Sequence, residues 1–540
     1  MNKLYEKIEY YAGAAPENKS FTYRIGESYR SIDYISLKNY IDSLAAYLSA
    51  YQGQTIAIIG NNKLEYAISL LAILCKVGNA FLINKELNKE DILKVFEKIS
   101  TKDLDGGVDK KDTLVSSDRG PALIILDEDM DLDFPDYDVL HFSDISRLMN
   151  EGTKEDEAKA GDQEKEEESE AGVQDKEAEA QAANNEVFDK GKEIGNLILH
   201  TSGTTGEPKL VKIDQDRYYG GLSELNRKWE AKSDHADLLI IPLYHIYALI
   251  SLFHCIYGGK MTILEWDYKR LSQVLVETKP HIFMGVPLMY QRIQNVICRK
   301  AGIRIKVGIF FSRIFLKLGI DLRKKLFREI HEYFGGNYIF GVSAGSLLPN
   351  NLSRFYSDVG LPIYNVYGMT ETSGPIAINY RNHNPKGSVG EILDINEIRI
   401  KNSDENGIGQ VCVSGPNIFE GYLGEGKACN FDGEYFNTGD IGYVKDNYLY
   451  VLGRNDGILI GANGKNISSE ELNKKIMANR RVHDCKILME NNRLIAIINT
   501  DLSFEELGRY IDKINQKLPR YKRIFKYRIE KEESDKLGYK

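Results

Sequence analysis

Residues 197–213 read Leu-Ile-Leu-His-Thr-Ser-Gly-Thr-Thr-Gly-Glu-Pro-Lys-Leu-Val-Lys-Ile, an apolar run that feeds a stretch of hydroxyls and glycines and then a lysine. That order suits a phosphate. Gly203 and Gly206 let backbone amides approach an anion, Thr201, Ser202, Thr204 and Thr205 can donate hydroxyl hydrogen bonds, and Lys209 can neutralise charge. The loop is not of the Walker type, because no Gly-Lys-Ser/Thr opens a helix after it. Its composition alone reads equally well as a surface turn rich in Ser, Thr and Gly. The order of its residues is far rarer.

Further runs follow in the sequence. Residues 364–372 read Tyr-Asn-Val-Tyr-Gly-Met-Thr-Glu-Thr, residues 437–440 read Asn-Thr-Gly-Asp, and residues 453–456 read Gly-Arg-Asn-Asp. Softer runs lie between them: Ile-Pro-Leu-Tyr-His at 241–245, Gly-Val-Pro at 285–287, Ser-Ala-Gly-Ser at 343–346, Gly-Ser-Val-Gly at 387–390 and Gly-Pro-Asn-Ile-Phe-Glu-Gly-Tyr at 415–422. Taken in this order, they resemble the signatures of the adenylate-forming (AMP-binding) superfamily, which includes acyl-CoA synthetases, luciferases and the adenylation domains of peptide synthetases. The resemblance runs over most of residues 30–530.

The resemblance implies a chemistry. A carboxylate oxygen attacks the alpha-phosphate of ATP and pyrophosphate leaves, so negative charge crowds one phosphorus and its neutralisation must carry catalysis. Glu371 would hold a magnesium ion, a hard cation suited to carboxylate oxygen. Thr370 would bond the alpha-phosphate. Tyr367, followed by Gly368, would stack on adenine, while Ser343, Ala344 and Gly345 line the other side of the base. Asp440 would accept from both ribose hydroxyls, assisted by Arg454. His245 stands where relatives place a gate between nucleotide and acyl pockets, although a lone histidine in an apolar stretch also reads as core. Asp456 resembles the hinge of a mobile carboxy-terminal cap. The family's last motif is a lysine in a Gly-Lys pair. Here the chain ends Asp-Lys-Leu-Gly-Tyr-Lys, so Lys540 is the first candidate for that role and Lys536 the second.

These residues need an α/β scaffold. Apolar runs at 55–60, 122–126, 197–199, 238–241 and 282–284 alternate with helix-like stretches, which predicts largely parallel sheets. After Tyr380 short strands at 397–400, 410–414, 448–452 and 457–460 predict an antiparallel unit. Helices at 469–477 and 504–517 with strands at 486–489 and 494–499 predict a small α+β cap. The expected division is a large, multi-subdomain AMP-binding domain over 1–453 and the cap over 454–540. Residues 238–257 carry no charged Asp, Glu, Lys or Arg and match a membrane span in length, but Pro242, His245 and His254 favour a strand followed by a helix from about Tyr247.

Composition narrows the function. The chain has 540 residues, 42% apolar and 28% charged, an ordinary globular balance. Residues 151–183 hold 13 acids and 4 lysines, which accounts for the whole net charge of -9 and leaves 66 of each sign elsewhere. No basic footprint for nucleic acid remains. The acidic segment itself, aromatic-free, predicts a solvated insertion, disordered or tethering, with a protein-interaction role as one reading. Six scattered cysteines read as buried reduced thiols, and the charged amino terminus lacks a leader-like apolar run, so a cytoplasmic location is expected.

The carboxylate can be narrowed too. Peptide-synthetase adenylation domains place an aspartate after the strand at 238–242, and here Leu243-Tyr-His-Ile-Tyr-Ala248 offers none, so an amino-acid substrate is disfavoured. Ile246, Tyr247, Leu249, Leu252 and Phe253 suit an acyl chain. The basic-apolar span 300–334 resembles the extension of long-chain fatty acyl-CoA synthetases, and it reads either as a solvated face or as a peripheral contact with anionic lipid. The expectation is therefore an ATP- and magnesium-dependent ligase joining a long-chain fatty acid to CoA. An acyl carrier protein as acceptor, or a nucleotide- and acyl-binding scaffold that does not turn over, are the alternatives.

Overall fold

Strands made only of buried residues must be covered on both faces, and the chain supplies several. Thr55–Ile59, Asn79–Leu82 and Leu123–Leu126 are buried throughout, and β-branched and leucine side chains dominate them. In the computed structural model, which describes residues 2–99, 120–150, 195–201, 209–230, 232–346, 348–423, 430–454, 458–460, 466–490, 493–519 and 522–529, they join a six-stranded sheet. Its order is Val139–His141, Leu123–Leu126, Thr55–Ile59, Asn79–Leu82, Leu197–Thr201 and Lys209–Ile213, parallel except for the last strand. The acidic segment 151–183 lies outside the described residues.

The chain divides into two compact units. One comprises Met1–Lys386, Leu393–Ile395 and Gly415–Cys429, and the other Gly387–Ile392, Asn396–Ser414 and Asn430–Lys540. The first unit holds the six-stranded sheet and a second parallel run in the order Ile363–Met369, Phe340–Ser343, Ile282–Gly285, Ala236–Leu239, Met261–Leu264 and Lys19–Ile25. Phe283, Tyr290, Phe334 and Tyr356 fill the core beside it. In the second unit Glu397–Lys401, Gly409–Ser414, Tyr435–Lys445, Tyr448–Arg454 and Gly390–Ile392 pair antiparallel in that order. It also contains Val482–Glu490, Arg493–Thr500 and Ile524–Ile529 with the helices Ser469–Ile476 and Phe504–Gln516, whose inner faces share one core. Ser503 and Glu506 close a capping box at the start of the latter helix, which fixes where it begins.

Several expectations are corrected. The strand expected to end at Pro242 stops at Leu239, because the Asn62 amide donates to the Ile241 carbonyl (2.8 Å) and its oxygen accepts from the Leu243 amide (2.9 Å). A side chain takes the groups that a longer strand would pair. The segment 238–257 is a strand end and the helix Ile246–Tyr257, and no helix among the described residues is long and apolar enough to cross a membrane. Cys298 is exposed on the helix Pro287–Ala301 rather than buried, whereas Cys75, Cys255, Cys412 and Cys485 are buried as expected and Cys429 lies outside the described residues. The eleven-residue strand Tyr435–Lys445, which lies outside the expected strands, runs through Asn437 and Gly439 despite their local preference for turns.

One buried ion pair fixes the centre of the second run. Asp237 and Lys260, both without exposed side-chain surface, meet at 2.5 Å beside His254. Burial alone would raise the Asp237 pKa, but the Lys260 ammonium and His254 hold it well below the usual carboxylate range. Burial pushes His254 down to about 4, with Lys260 adding to the effect. Lys260→Met should therefore cost about 3–5 kcal/mol by stranding the Asp237 charge, and Lys260→Met with Asp237→Leu should recover most of it. Urea unfolding of the three proteins checks this. Equal losses in the single and double variants would show that the charge is not the cause.

Candidate active site

Parallel strands bring their carboxyl ends to one edge, where α/β sheets bind ligands. Gly285 is in register with Ser343, Ser343 with Asn365, and Met284 with Leu239. Four separate sequence runs thus emerge side by side: Leu243 to His245 after Leu239, Val286 and Pro287 after Gly285, Ala344 and Gly345 after Ser343, and Tyr367 with its turn after Asn365. Tyrosine hydroxyls brace this edge. Tyr247 and Tyr290 both donate to the Val342 carbonyl, at 3.0 and 3.1 Å, and Tyr290 also reaches that of Phe283 at 2.7 Å. Ser343 is fully buried and its hydroxyl finds no partner among the described residues. Gly345 adopts φ +81°, so the chain turns sharply away and leaves its backbone open.

The acid of the 364–372 run sits in a tightly built turn. Thr370–Thr372 forms one turn of 3-10 helix, and Ser373 follows in the left-handed region at φ +52°. A Cβ on Gly368 would lie 2.1 Å from the Gly374 carbonyl oxygen, so only glycine allows the chain to double back here. Thr372 locks the turn, its hydroxyl donating to the Gly374 carbonyl (2.6 Å) and accepting from the Met369 amide (3.0 Å). Glu371 is buried, its carbonyl accepts from the Phe419 amide (2.9 Å), and its carboxylate accepts from the Tyr422 hydroxyl (2.8 Å). Asn417 adds a hydrogen bond to the Thr372 carbonyl. Thr370 is half-buried beside it.

Tyr422 also reaches the lysine that follows the hydroxyl- and glycine-rich run. The Lys209 ammonium lies over its ring, 4.6 Å from the centroid, a cation–π contact. Thr201 and Lys209 are register partners at the ends of Leu197–Thr201 and Lys209–Ile213, so the loop between them joins two antiparallel strands. Ser202, Gly203, Thr204, Thr205 and Gly206 of that loop lie outside the described residues. Sequence reasoning missed Tyr422, Asn417 and Phe419 as the residues that hold Glu371. The run 415–422 was visible, but nothing in one sequence says that it crosses to residue 371.

His245 precedes the helix Ile246–Tyr257, its ring 4.4 Å from that of Tyr244. The residue is exposed overall, but neighbouring protein desolvates its ring enough to lower its pKa, and Glu86 partly opposes the shift. His200, one residue before Thr201, is pushed down to about 4 by burial and then by His245. Its Nε2 accepts from the Asn84 amide at 2.9 Å, which requires the neutral ring with its proton on Nδ1. Both histidines are therefore neutral near pH 7. Of the five apolar residues assigned to an acyl wall, Leu249, Leu252 and Phe253 are wholly buried, while Ile246 and Tyr247 are half-buried.

The second unit carries the Asn-Thr-Gly-Asp run within Tyr435–Lys445. Asp440 is not in a turn. It stands opposite Arg454 in the antiparallel ladder, is buried, and lies 3.6 Å from the Arg454 Nε. The Thr438 hydroxyl bridges the pair's base, donating to Val411 (2.9 Å) and accepting from the Asp440 amide (3.1 Å). Gly439 has φ +75°, and a Cβ there would press on the Arg454 guanidinium at 3.1 Å. Asp456, Lys536 and Lys540 lie outside the described residues.

This geometry can now be set beside known proteins. A family model for AMP-binding enzymes matches residues 8–423. The chain belongs to the AMP-binding enzyme family. It is similar to the long-chain-fatty-acid–CoA ligase FadD15 of Mycobacterium bovis, 28% identical over 336 residues that cover 56% of this chain and 54% of that protein. It is also similar to the malonate–CoA ligase of Arabidopsis thaliana, 27% identical over 389 residues, 66% of this chain and 60% of that one. The chain spans about half the length of the first curated relatives that it matches. The fold is that of the Bacillus subtilis O-succinylbenzoate coenzyme A synthetase solved with ATP and magnesium, with a TM-score of 0.67, 19% identity and coverage of 97% and 95%. The AMP-binding family thus includes relatives whose acids differ widely.

Tyr422→Phe removes a hydrogen bond to a buried carboxylate and should cost about 1–3 kcal/mol, measured by urea unfolding at neutral pH. No loss would mean that Tyr422 does not hold Glu371. Between about pH 6.5 and 4 the unfolded chain binds a proton at His200 that the folded chain does not, so stability falls as pH falls, by at most about 1.4 kcal/mol per pH unit for this group. His200→Gln should flatten that slope in unfolding experiments across this range. An unchanged slope would contradict a neutral, desolvated His200.

Proposed function

We propose that this chain activates a carboxylic acid with ATP and transfers it to a thiol, the acid being a long-chain fatty acid and the acceptor CoA. The observation that carries the reading is the meeting of Glu371, Tyr422 and Lys209: a buried carboxylate held in place beside the cation that closes a hydroxyl- and glycine-rich loop. Tyr422 engages one Glu371 oxygen and leaves the other for a hard cation, so the donor set fits magnesium. Bound there, the ion would neutralise charge on the phosphates. Thr370 bonds the alpha-phosphate, Lys209 and the loop Thr201 to Gly206 draw charge from the departing pyrophosphate, and the carboxylate oxygen attacks phosphorus. Ser343, with its unused hydroxyl, and the Ala344–Gly345 backbone face the adenine that Tyr367 stacks against. Asp440, oriented by Arg454, takes the ribose hydroxyls.

The identity of the acid rests on charge. A dicarboxylate or a zwitterion needs a buried partner for its second charge. The buried ammonium groups close to the helix Ile246–Tyr257 are spent already, Lys260 on Asp237 and Lys228 on Glu224 at 3.1 Å. A neutral His245 beside Ile246 and Tyr247 adds no charge to an apolar chain entering there. The similarity to the long-chain-fatty-acid–CoA ligase FadD15 supports this choice of acid and of CoA as acceptor. The cap, residues 454–540, swings about Asp456 between the two half-reactions and carries Lys540 to the reacting carboxylate in the first.

Pyrophosphate release from ATP and magnesium should require a long-chain acid, and AMP should accumulate with turnover only when CoA is added. Malonate-dependent release with none from a fatty acid would overturn the substrate. Glu371→Gln should lower release by about 100-fold or more with little change in folding, as loss of charge stabilisation does. Asp440→Ala should raise the Michaelis constant for ATP about tenfold or more. Near-normal turnover of the first, or an unchanged constant for the second, would refute the role given to that residue.

A further inference from the structure

The helix Ile303–Lys317 is apolar on two opposite faces, and only one of them is used. Its inner face packs. Ile305 is buried in the core, a Cβ on Gly308 would stand 2.8 Å from the Phe327 ring, and the Ser312 hydroxyl donates to the Asp358 carbonyl at 2.9 Å. The Arg313 guanidinium locks the same end through Nε to Asp358 Oδ1 at 2.9 Å. The outer face should be polar if it were merely solvated. Instead Ile303 (77% exposed), Val307, Phe310 (62%), Ile314 and Leu318 (67%) recur at i, i+4, i+7, i+11 and i+15, one continuous stripe directly opposite the packed face, widened by Phe311. The seat on Phe327 and Asp358 holds this stripe outward.

Cations border it. Lys306 and Lys317 flank one side and Arg304 the other, and residues 303–326 contain seven basic side chains against the single acid Asp321, which Arg323 neutralises. We propose that this face docks on an anionic lipid bilayer, the two phenylalanines and the aliphatic residues entering the acyl boundary while the lysines and arginines meet lipid phosphates. Charge selects this occupant over others. A second copy seated on the same face would bring the two cationic borders together. The chain's own acidic segment 151–183 matches in sign, but its apolar residues are alanines and the single Val173, too small to cover aromatic surface. None of its residues belongs to the site above, so its function can be tested without ATP or acid.

Co-sedimentation of the full chain with vesicles of equal parts phosphatidylglycerol and phosphatidylcholine, against vesicles of phosphatidylcholine alone, tests the proposal. The chain should bind the anionic vesicles at least about tenfold more tightly and release as salt is raised. Phe310→Asp with Ile314→Asp should lower that binding about tenfold or more, and Lys306→Glu with Lys317→Glu should remove the preference for anionic lipid, both with unchanged thermal unfolding because the side chains are exposed. No binding, equal binding to the two vesicle types, or binding indifferent to both pairs of substitutions would overturn it. So would light scattering that finds an oligomer which Phe310→Asp with Ile314→Asp converts to a monomer, for then the face would belong to a second copy.

Discussion

The parallel register of Ala236–Leu239, Ile282–Gly285, Phe340–Ser343 and Ile363–Met369 is the constraint on which the rest of the first unit depends. A shift of one residue in any strand would turn its side chains to the other face and retract a loop from the common edge. The register is held from both ends. Buried side chains such as Phe283 and Val342 fix the face, the Asp237–Lys260 pair fixes one strand against its neighbour's connection, and Tyr247 and Tyr290 pin the last carbonyl before Ser343. Residues that are distant in sequence become neighbours because the strands before them have nowhere else to pack.

The edge where these runs meet gains its charged side chains in a controlled way. Glu371 is carried into the turn as a buried carboxyl group, and among the described residues it is held by the neutral Tyr422 phenol rather than by a cation. Lys209 packs over that phenol's face instead of pairing with the carboxylate itself. His200 and His245 stay neutral, through desolvation in both and, for His200, through an amide donating to its ring. In the second unit Asp440 is buried opposite Arg454, whose Nε lies 3.6 Å away and orients it. The common logic is preorganisation: each charged group is fixed by neighbours before a ligand arrives.

Much of this was legible in the sequence, for reasons that differ by residue. The buried strands were visible because a run such as Thr-Ile-Ala-Ile-Ile at 55–59 has no other soluble use, and the helices at 469–476 and 504–516 because their apolar residues recur at helical spacing. Glu371 and Asp440 were found through the runs around them, whose glycines at 368 and 439 prove to occupy positions that tolerate no side chain or demand a left-handed turn. What stayed hidden depends on contacts far apart in the chain. Tyr422 meets Glu371 across about fifty residues of sequence, and Asn62 ends the strand before Pro242 from about 180 residues away, and neither leaves a local pattern. Asn437 and Gly439 favour a turn locally, while the pairing of Asp440 with Arg454 across the ladder overrides that preference. The exposed stripe of Ile303–Lys317 was blurred for a related reason. A helix apolar on two faces has little amphipathic contrast, and only its packing shows which face is free.

The central claim is that the acid's own oxygen attacks the alpha-phosphate at the edge that Glu371 and Lys209 define. The direct measurement is mass spectrometry of the AMP formed when a long-chain acid carrying oxygen-18 in its carboxylate is turned over with ATP, magnesium and CoA. One labelled oxygen in AMP, with none in pyrophosphate, is the predicted result. Unlabelled AMP, or ADP and labelled phosphate in its place, would contradict the account.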